Sequence, residues 1–195
     1  MSNKTTTYFS IDVETDGPCP GLNSMLSLGC VAFDEQGNNL DTYYVNLDLL
    51  PEATQDPKTM EFWAQHQKYY DQTRVWCQNP AEAIPHFSCW VESFPGSPVA
   101  VCMPSGFDFT WVYYYLMRFN GRSAFSFSVL DMKTMAMCML RLPYRESTKK
   151  RWPRHWFSRL PHTHSAIDDA LEQAETFKLM LKDLMGDVQA WSLAV

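Results

Sequence analysis

Apolar positions come in short alternating or continuous blocks over the first fifty residues, then change to helical spacing. Residues 7–14, 24–34 ("SMLSLGCVAFD") and 40–49 ("LDTYYVNLDL") read as strands, with "EQGNN" as the turn between the second and third. That spacing predicts a three-strand antiparallel meander. Residues 56–72 and 80–94 read as helices; Pro57 lies early in the first and Pro80 suits the first position of the second, with Pro85 in its next turn. A short strand at 99–103, a helix at 108–121 ending at Gly121, a strand at 127–131, a helix "MKTMAMCML" capped by Asp131, and a last helix at 165–185 follow. Strands first, then alternating helices and strands, indicate an α/β fold with a mixed sheet, and the whole of 1–195 is expected to be one domain.

The strand pattern is interrupted in "YFSIDVETDGP", residues 8–18. Asp12 and Glu14 are two apart, so on a strand they share a face. Two carboxylates side by side on an apolar strand repel one another and lose hydration. A hard divalent cation removes both penalties. A solvated edge-strand face does so too, and "IDVE" alone does not separate the two. Asp108 follows the strand "VAVCM", on the side of a sheet where α/β proteins gather their sites, but a helix N-cap explains it equally. In "HTHSAIDDALEQAETF", Asp168 or Asp169 alone is an ordinary first-turn residue, and His164 alone an ordinary loop residue.

Charge adds one feature. The chain of 195 residues carries a formal net charge of -6. Seven Lys and Arg against a single acid, Glu146, give residues 141–159 a net +6 and leave -12 on the rest. In this arm Tyr144, Trp152, Trp156 and Phe157 interleave with the basic residues, a pattern suited to single-stranded nucleic acid, where cations neutralise phosphates and aromatic faces stack bases. The plainer alternative is a linker whose aromatics pack on the body. Residues 141–163 are therefore expected to be a loop or lid, with Arg151, Trp152, Arg154 and Trp156 as candidate substrate contacts. The acidic body argues against broad binding to duplex DNA. The six cysteines show no C-x-x-C pair and are expected to be reduced and mostly buried. His162-x-His164 offers two nitrogen ligands, but no second pair completes a zinc site. With no signal-like start and no apolar run of membrane length, the protein is expected to be soluble and cytoplasmic.

Taken together, "IDVET", "GFD" some ninety residues on, and "HSAIDDA" resemble the three motifs of the DEDDh 3'-5' exonucleases, the family of the DNA polymerase proofreading subunit, oligoribonuclease and RNase T. The resemblance runs from about residue 7 to 184, and the first and third motifs carry most of its specificity. "KTMEFWAQ" is similar to bacterial members with a tryptophan in that helix. The resemblance implies a ribonuclease H-like fold: a mixed sheet, three strands antiparallel and the others parallel, flanked by helices. It places the four family acids on Asp12, Glu14, Asp108 and Asp169, and the family histidine on His164. Asp169 is selected over Asp168 by the four residues separating His and Asp in the family's third motif. Where many members have an Asn shortly before the second-motif Asp, this chain has Pro104 and Ser105, which leaves substrate contacts at that loop open.

The resemblance further implies two Mg²⁺ or Mn²⁺ ions about 4 Å apart, with Asp12 touching both, Glu14 and Asp169 completing one site and Asp108 the other. His164, with an ordinary pKa near 6.5, would accept a proton from the attacking water. The expected partner is a single-stranded nucleic acid with a free 3' end, held in part by Thr15 in the turn "TDGP". RNA is favoured over DNA as substrate, and the products are nucleoside 5'-monophosphates. Family members are often dimers, so a homodimer is possible. The alternatives are a DNA-trimming or proofreading exonuclease, and an inactive nucleic-acid-binding module of the same fold.

Overall fold

The structure is a computed structural model; it describes residues 5–192, and side chains through residue 186. Five strands form one sheet in the order β3-β2-β1-β4-β5. β1 (Thr6–Thr15), β2 (Met25–Asp34) and β3 (Asn39–Asn46) make the antiparallel meander. β4 (Ser97–Cys102) runs parallel to β1, and β5 (Leu130–Asp131) parallel to β4. The β2–β3 turn is held by Asp34, whose Oδ1 accepts from the backbone N–H groups of Gln36 and Asn38.

Among the described residues six α-helices accompany the sheet: α1 (Pro57–Gln65), α2 (Gln67–Thr73), α3 (Pro80–Glu92), α4 (Ser105–Asn120), α5 (Met132–Leu140) and α6 (Ala166–Ser192). Strand periodicity sorts β1 between two cores. Phe9, Ile11 and Val13 join Phe87, Trp111 and Leu116 under α3 and α4. Tyr8 faces the other way, with Val31, Phe33 and Phe177 under α6. β2 is buried over nine of its ten residues because helices cover both of its faces.

Four element boundaries differ from the sequence reading. The helix expected over 56–72 breaks at His66, whose backbone leaves the helical region and closes α1 by donating to the Trp63 carbonyl. The strand expected at 127–131 shrinks to two residues, leaving Phe127 almost fully exposed. β3 ends at Asn46, where the next residue, Leu47, instead bridges to Gln78. α4 starts at Ser105, so Asp108 lies in its first turn and Pro104, not Asp108, occupies the N-cap. Asp131 caps α5 as expected, accepting from the Thr134 N–H at 2.7 Å, and Gly121 closes α4 in the left-handed region, where a residue without Cβ is unstrained. The cysteines are free, but only Cys30 and Cys102 are buried; Cys19, Cys89 and Cys138 are exposed, against the expectation. No helix among the described residues is long and apolar enough to cross a membrane.

Two contacts seat α6 against the acidic strand. The first is the small-residue row Ala166, Ala170 and Ala174, which lets the helix lie close to the sheet. Gly29, opposite Asp12 on β2, sits under its first turn, and a Cβ there would meet the Ala166 carbonyl oxygen at 2.2 Å. Gly29→Ala is expected to cost about 1–3 kcal/mol by overpacking. By displacing α6 it should also lower nuclease activity by up to about 10²-fold, the effect of a 1 Å misplacement. A thermal melt and a rate measurement check this; unchanged values in both would contradict it.

The second contact is Gln173, whose buried amide donates to Ser10 Oγ, the Ile11 carbonyl and the Val101 carbonyl. β1 and β4 stop pairing at Ser10 and Val101. Gln173 therefore satisfies backbone acceptors where the parallel strands part, and Asp12 is the next residue of that face.

Candidate active site

Asp12 and Glu14 project from the end of β1 on the same side as Ser10, whose hydroxyl donates to the Ala170 carbonyl of α6. That side faces the first turns of α6. Asp169 is nearly buried there, and Asp12, Glu14 and Asp169 each present an oxygen within 4.8 Å of the others. Asp108 enters from α4, also nearly buried, and its Oδ1 accepts from the Val13 N–H at 3.4 Å. The backbone between the two acids of β1 is thus tied to the third acid. Asp168 points outward, exposed, and accepts from the Thr163 hydroxyl at 3.0 Å.

Burial and mutual repulsion dominate the electrostatics. Burial raises the Asp12 carboxyl well above its ordinary range, with the charges of Asp108, Glu14 and Asp169 adding to the rise and Lys149 opposing it. Glu14 is raised by burial and then by Asp169 and Asp108. Burial lifts Asp108 to about 7, against the donation it receives from Val13. Such a cluster is unfavourable on its own and is satisfied by positive charge.

Lys149, from the basic segment, supplies part of that charge. It lines a small cavity with Asp12, His162 and Asp169, and is held by Glu172 at 3.0 Å. Sequence reasoning missed Lys149 within a run of basic residues. It also missed Gly29 and Gln173; an isolated glycine in an apolar strand was the available signal for the first.

His164 has a left-handed backbone, with φ of 61°, and its N–H donates to Asp169 Oδ2 at 3.0 Å while the Thr163 N–H donates to Oδ1 at 2.8 Å. A non-glycine residue in that region is strained and is held there by its surroundings. The surroundings are aromatic: the His164 ring lies 5.2 Å from Phe62 and 4.6 Å from His66 between centroids. The break between α1 and α2 is what turns His66 toward it. Burial, and then the neighbouring His162 and His66, lower the His164 pKa from 6.5, outweighing Asp169.

The turn after β1 is fixed from outside. The Trp63 indole N–H donates to the Thr15 carbonyl at 2.9 Å, and the Asp56 N–H to the Asp16 carbonyl at 2.8 Å. Beside it opens a cavity of about 370 Å³ lined by Glu14, Thr15, Gly17, Lys58, Phe62, Trp63 and Phe107 among others. The Thr15 side chain itself is buried and donates to the Gly17 carbonyl.

The basic segment is less of a lid than the sequence suggests. Trp152 and Trp156 are 5% and 2% exposed and belong to the core under α6. Trp156 also donates from its indole N–H to Asp183. Their faces are spent on packing, so the expectation that these two stack bases is withdrawn. Arg151 and Arg154 remain on the surface, Arg151 paired with Glu146 at 2.7 Å.

Comparison with known proteins gives the family. The family model described as the 3'-5' exoribonuclease Rv2179c-like domain matches residues 7–181. The 3'-5' DNA exonuclease Cap18 of Escherichia coli is 29% identical over 181 residues, covering 90% of this chain and 91% of its own. The crystal structure of E. coli exonuclease I in complex with a dT13 oligonucleotide has a TM-score of 0.67 at 17% identity, covering 94% of this chain and 43% of that one. The nuclease domain of 3'hExo, a DEDDh family member bound to rAMP, has a TM-score of 0.63 at 11% identity, covering 93% and 94%. This chain spans less than half the length of exonuclease I, and at such identities the structural likeness speaks for the ribonuclease H-like fold alone. The family match runs from the first residues of β1 into the last helix and so takes in every acid of the cluster: the chain belongs to the 3'-5' exoribonuclease Rv2179c-like family, within the DEDDh exonucleases, and is a 3'-5' exonuclease.

Proposed function

We propose that the chain removes nucleoside 5'-monophosphates from the 3' end of single-stranded RNA, using two divalent ions, Mg²⁺ or Mn²⁺, held by Asp12, Glu14, Asp108 and Asp169. The observation carrying this reading is the carboxylate cluster itself: oxygens of Asp12, Glu14 and Asp169 within 4.8 Å of one another, Asp108 raising Asp12 from beside them, and Lys149 as the cation acting on Asp12. The donor set is all hard oxygen, which fits Mg²⁺ or Mn²⁺. Such ions, when bound, activate a water and stabilise the leaving oxygen of a phosphodiester. Asp12, whose carboxyl feels the charges of Asp108, Glu14 and Asp169, would be a ligand common to the set that would hold the ions.

His164 is the proton acceptor. Its lowered pKa keeps the imidazole neutral at pH 7, and its backbone bond to Asp169 ties its position to the acid cluster. The cavity beside Thr15 takes the terminal nucleoside, with Phe62 and Phe107 as apolar contacts in its lining. Arg151 and Arg154 steer the upstream phosphates. The family description favours RNA; the 29% identity to a DNA exonuclease across nine-tenths of the chain supports a second reading, in which the substrate is single-stranded DNA.

Matched 3'-end-labelled RNA and DNA oligonucleotides decide between them, assayed with Mg²⁺, with Mn²⁺ and with chelator. RNA is expected to be shortened faster, with mononucleotide release and no cleavage in chelator. Faster loss of DNA selects the second reading, and cleavage in chelator overturns the metal assignment. His164→Ala is expected to lower the rate by about 10²–10⁴-fold, the usual contribution of a positioned base. A base works when deprotonated, so the wild-type rate should climb with pH and level off below neutrality, because the pKa lies under 6.5. A rate that does not change between pH 5 and 8 would remove His164 from the reaction.

A further inference from the structure

Sequence alone gives the pair His162-x-His164 no further ligand, but the fold supplies one. Asp169 lies with its Oδ1 3.1 Å from His162 Nδ1. One ligand atom from each of His162, His164 and Asp169 falls within 4.8 Å of the other two. The two imidazole rings stand 5.0 Å apart between centroids, and His66 lies behind His164 at 4.6 Å. His162 is exposed, so an ion reaches it from solvent.

The chemistry of this set differs from that of the acid cluster beside it. Asp12, Glu14 and Asp169 offer only oxygen; His162, His164 and Asp169 offer two nitrogens and one oxygen. Imidazole suits Zn²⁺ and its neighbours in the transition series, whereas Mg²⁺ and Mn²⁺ take carboxylate and water. Two histidines and a carboxylate with an open fourth position are a common zinc arrangement. Asp169 has the capacity: a carboxylate has about four lone-pair positions, and the Thr163 and His164 N–H groups use two. The 3.1 Å between His162 Nδ1 and Asp169 Oδ1 suits two ligand atoms of one metal ion.

We propose that His162, His164 and Asp169 form an inhibitory site for Zn²⁺, distinct in ligands from the catalytic pair and overlapping it at Asp169. Bound there, Zn²⁺ occupies the lone pair with which His164 accepts a proton and draws Asp169 away from the acid cluster. The inhibition rests on the reading of His164 given above; the binding itself does not.

The test has two arms, both on the full chain. In the first, Zn²⁺ is titrated into the reaction at saturating Mg²⁺. His162→Gln removes one nitrogen ligand, and because His162 also neighbours His164 and Asp169, its Zn²⁺ inhibition is read relative to the variant's own Mg²⁺-supported rate. Losing an outer partner of a metal site already weakens binding by about 10–100-fold, so losing a direct ligand should raise the half-inhibiting Zn²⁺ concentration by at least that much. In the second arm, Co²⁺ is added to Asp12→Asn, in which the oxygen cluster is weakened. The intense visible absorption of a four-coordinate ion with nitrogen ligands is expected, and it should vanish when His162→Gln is added. Equal Zn²⁺ sensitivity with and without His162, or a Co²⁺ spectrum unchanged by its loss, overturns the site. Because the spectrum needs no turnover, it decides the site even where the nuclease reading fails on both polymers.

Discussion

Asp12→Asn should abolish 3'-end shortening and at the same time make the metal-free protein more stable. The loss should exceed the ~10²–10³-fold that removing one neutral donor costs an active site, because Asp12 is the acid proposed to touch both ions. The gain in stability has the opposite origin. Burial holds Asp12, Glu14 and Asp108 above their ordinary pKa values, Asp108 at about 7, and the neighbouring carboxylates add to the rise at Asp12 and Glu14. For an acid raised in the folded state, the unfolded chain releases its proton first as pH rises. The stabilising contribution is therefore whole below about pH 4, the ordinary carboxylate range, and is lost by the folded pKa.

Metal-free wild type should thus lose stability from acid toward neutral pH through this cluster. Asp12→Asn should lose less, because the amide neither titrates nor repels its neighbours. Adding Mn²⁺ should raise the wild-type melting temperature by mass action and leave the variant nearly unmoved. Melting curves at pH 5 and 8, each with and without Mn²⁺, read all of this. A variant that melts below wild type at pH 8 without metal, or that retains most of its activity, would contradict the assignment.

The second large effect separates two adjacent acids. Asp169→Asn should lose nearly all activity, since an amide carries no charge and binds hard divalent ions poorly. It also weakens the acceptor that holds the Thr163 and His164 N–H groups, so the loop carrying the histidine loosens with it. Asp168→Asn should cost little, because that carboxylate is exposed and, among the described residues, accepts from the Thr163 hydroxyl alone. Successive helical residues point about 100° apart, which is why one neighbour enters the cluster and the other meets solvent. Both variants would be confirmed folded by circular dichroism and titrated with Mn²⁺ by calorimetry. Metal binding lost in Asp168→Asn and kept in Asp169→Asn would mean that the acid belonging to the site is the other one.

The resemblance in the third motif already pointed to Asp169, because it depends on a spacing along the chain. The pairing of Asp12 with Glu14 was legible for the same reason: a period of two on a strand fixes which residues share a face. The meander, the helices after residue 79 and the caps at Asp131 and Gly121 also rest on local rules of spacing and backbone freedom, and the structure keeps them. Where local rules compete, the sequence was ambiguous. The helix over 56–72 has a continuous polar and apolar pattern, yet it breaks at His66, and that break brings the His66 ring beside His164.

Composition alone could not tell a stacking tryptophan from a packed one. Trp152 and Trp156 sit among basic residues either way; only the core under α6 shows that their faces are already covered. The positions that build the site from outside the motifs were equally hidden. Gly29 matters because a helix that starts 137 residues later in the chain lies on it, and Gln173 because β1 and β4 part beneath it. His162 gains its third ligand partner from α6 in the same way. Sequence by itself determined which groups this protein carries and which of them share a face. Contacts between elements far apart in the chain are set by packing, and these decided which groups meet, which are buried, and how strongly their charges act on one another.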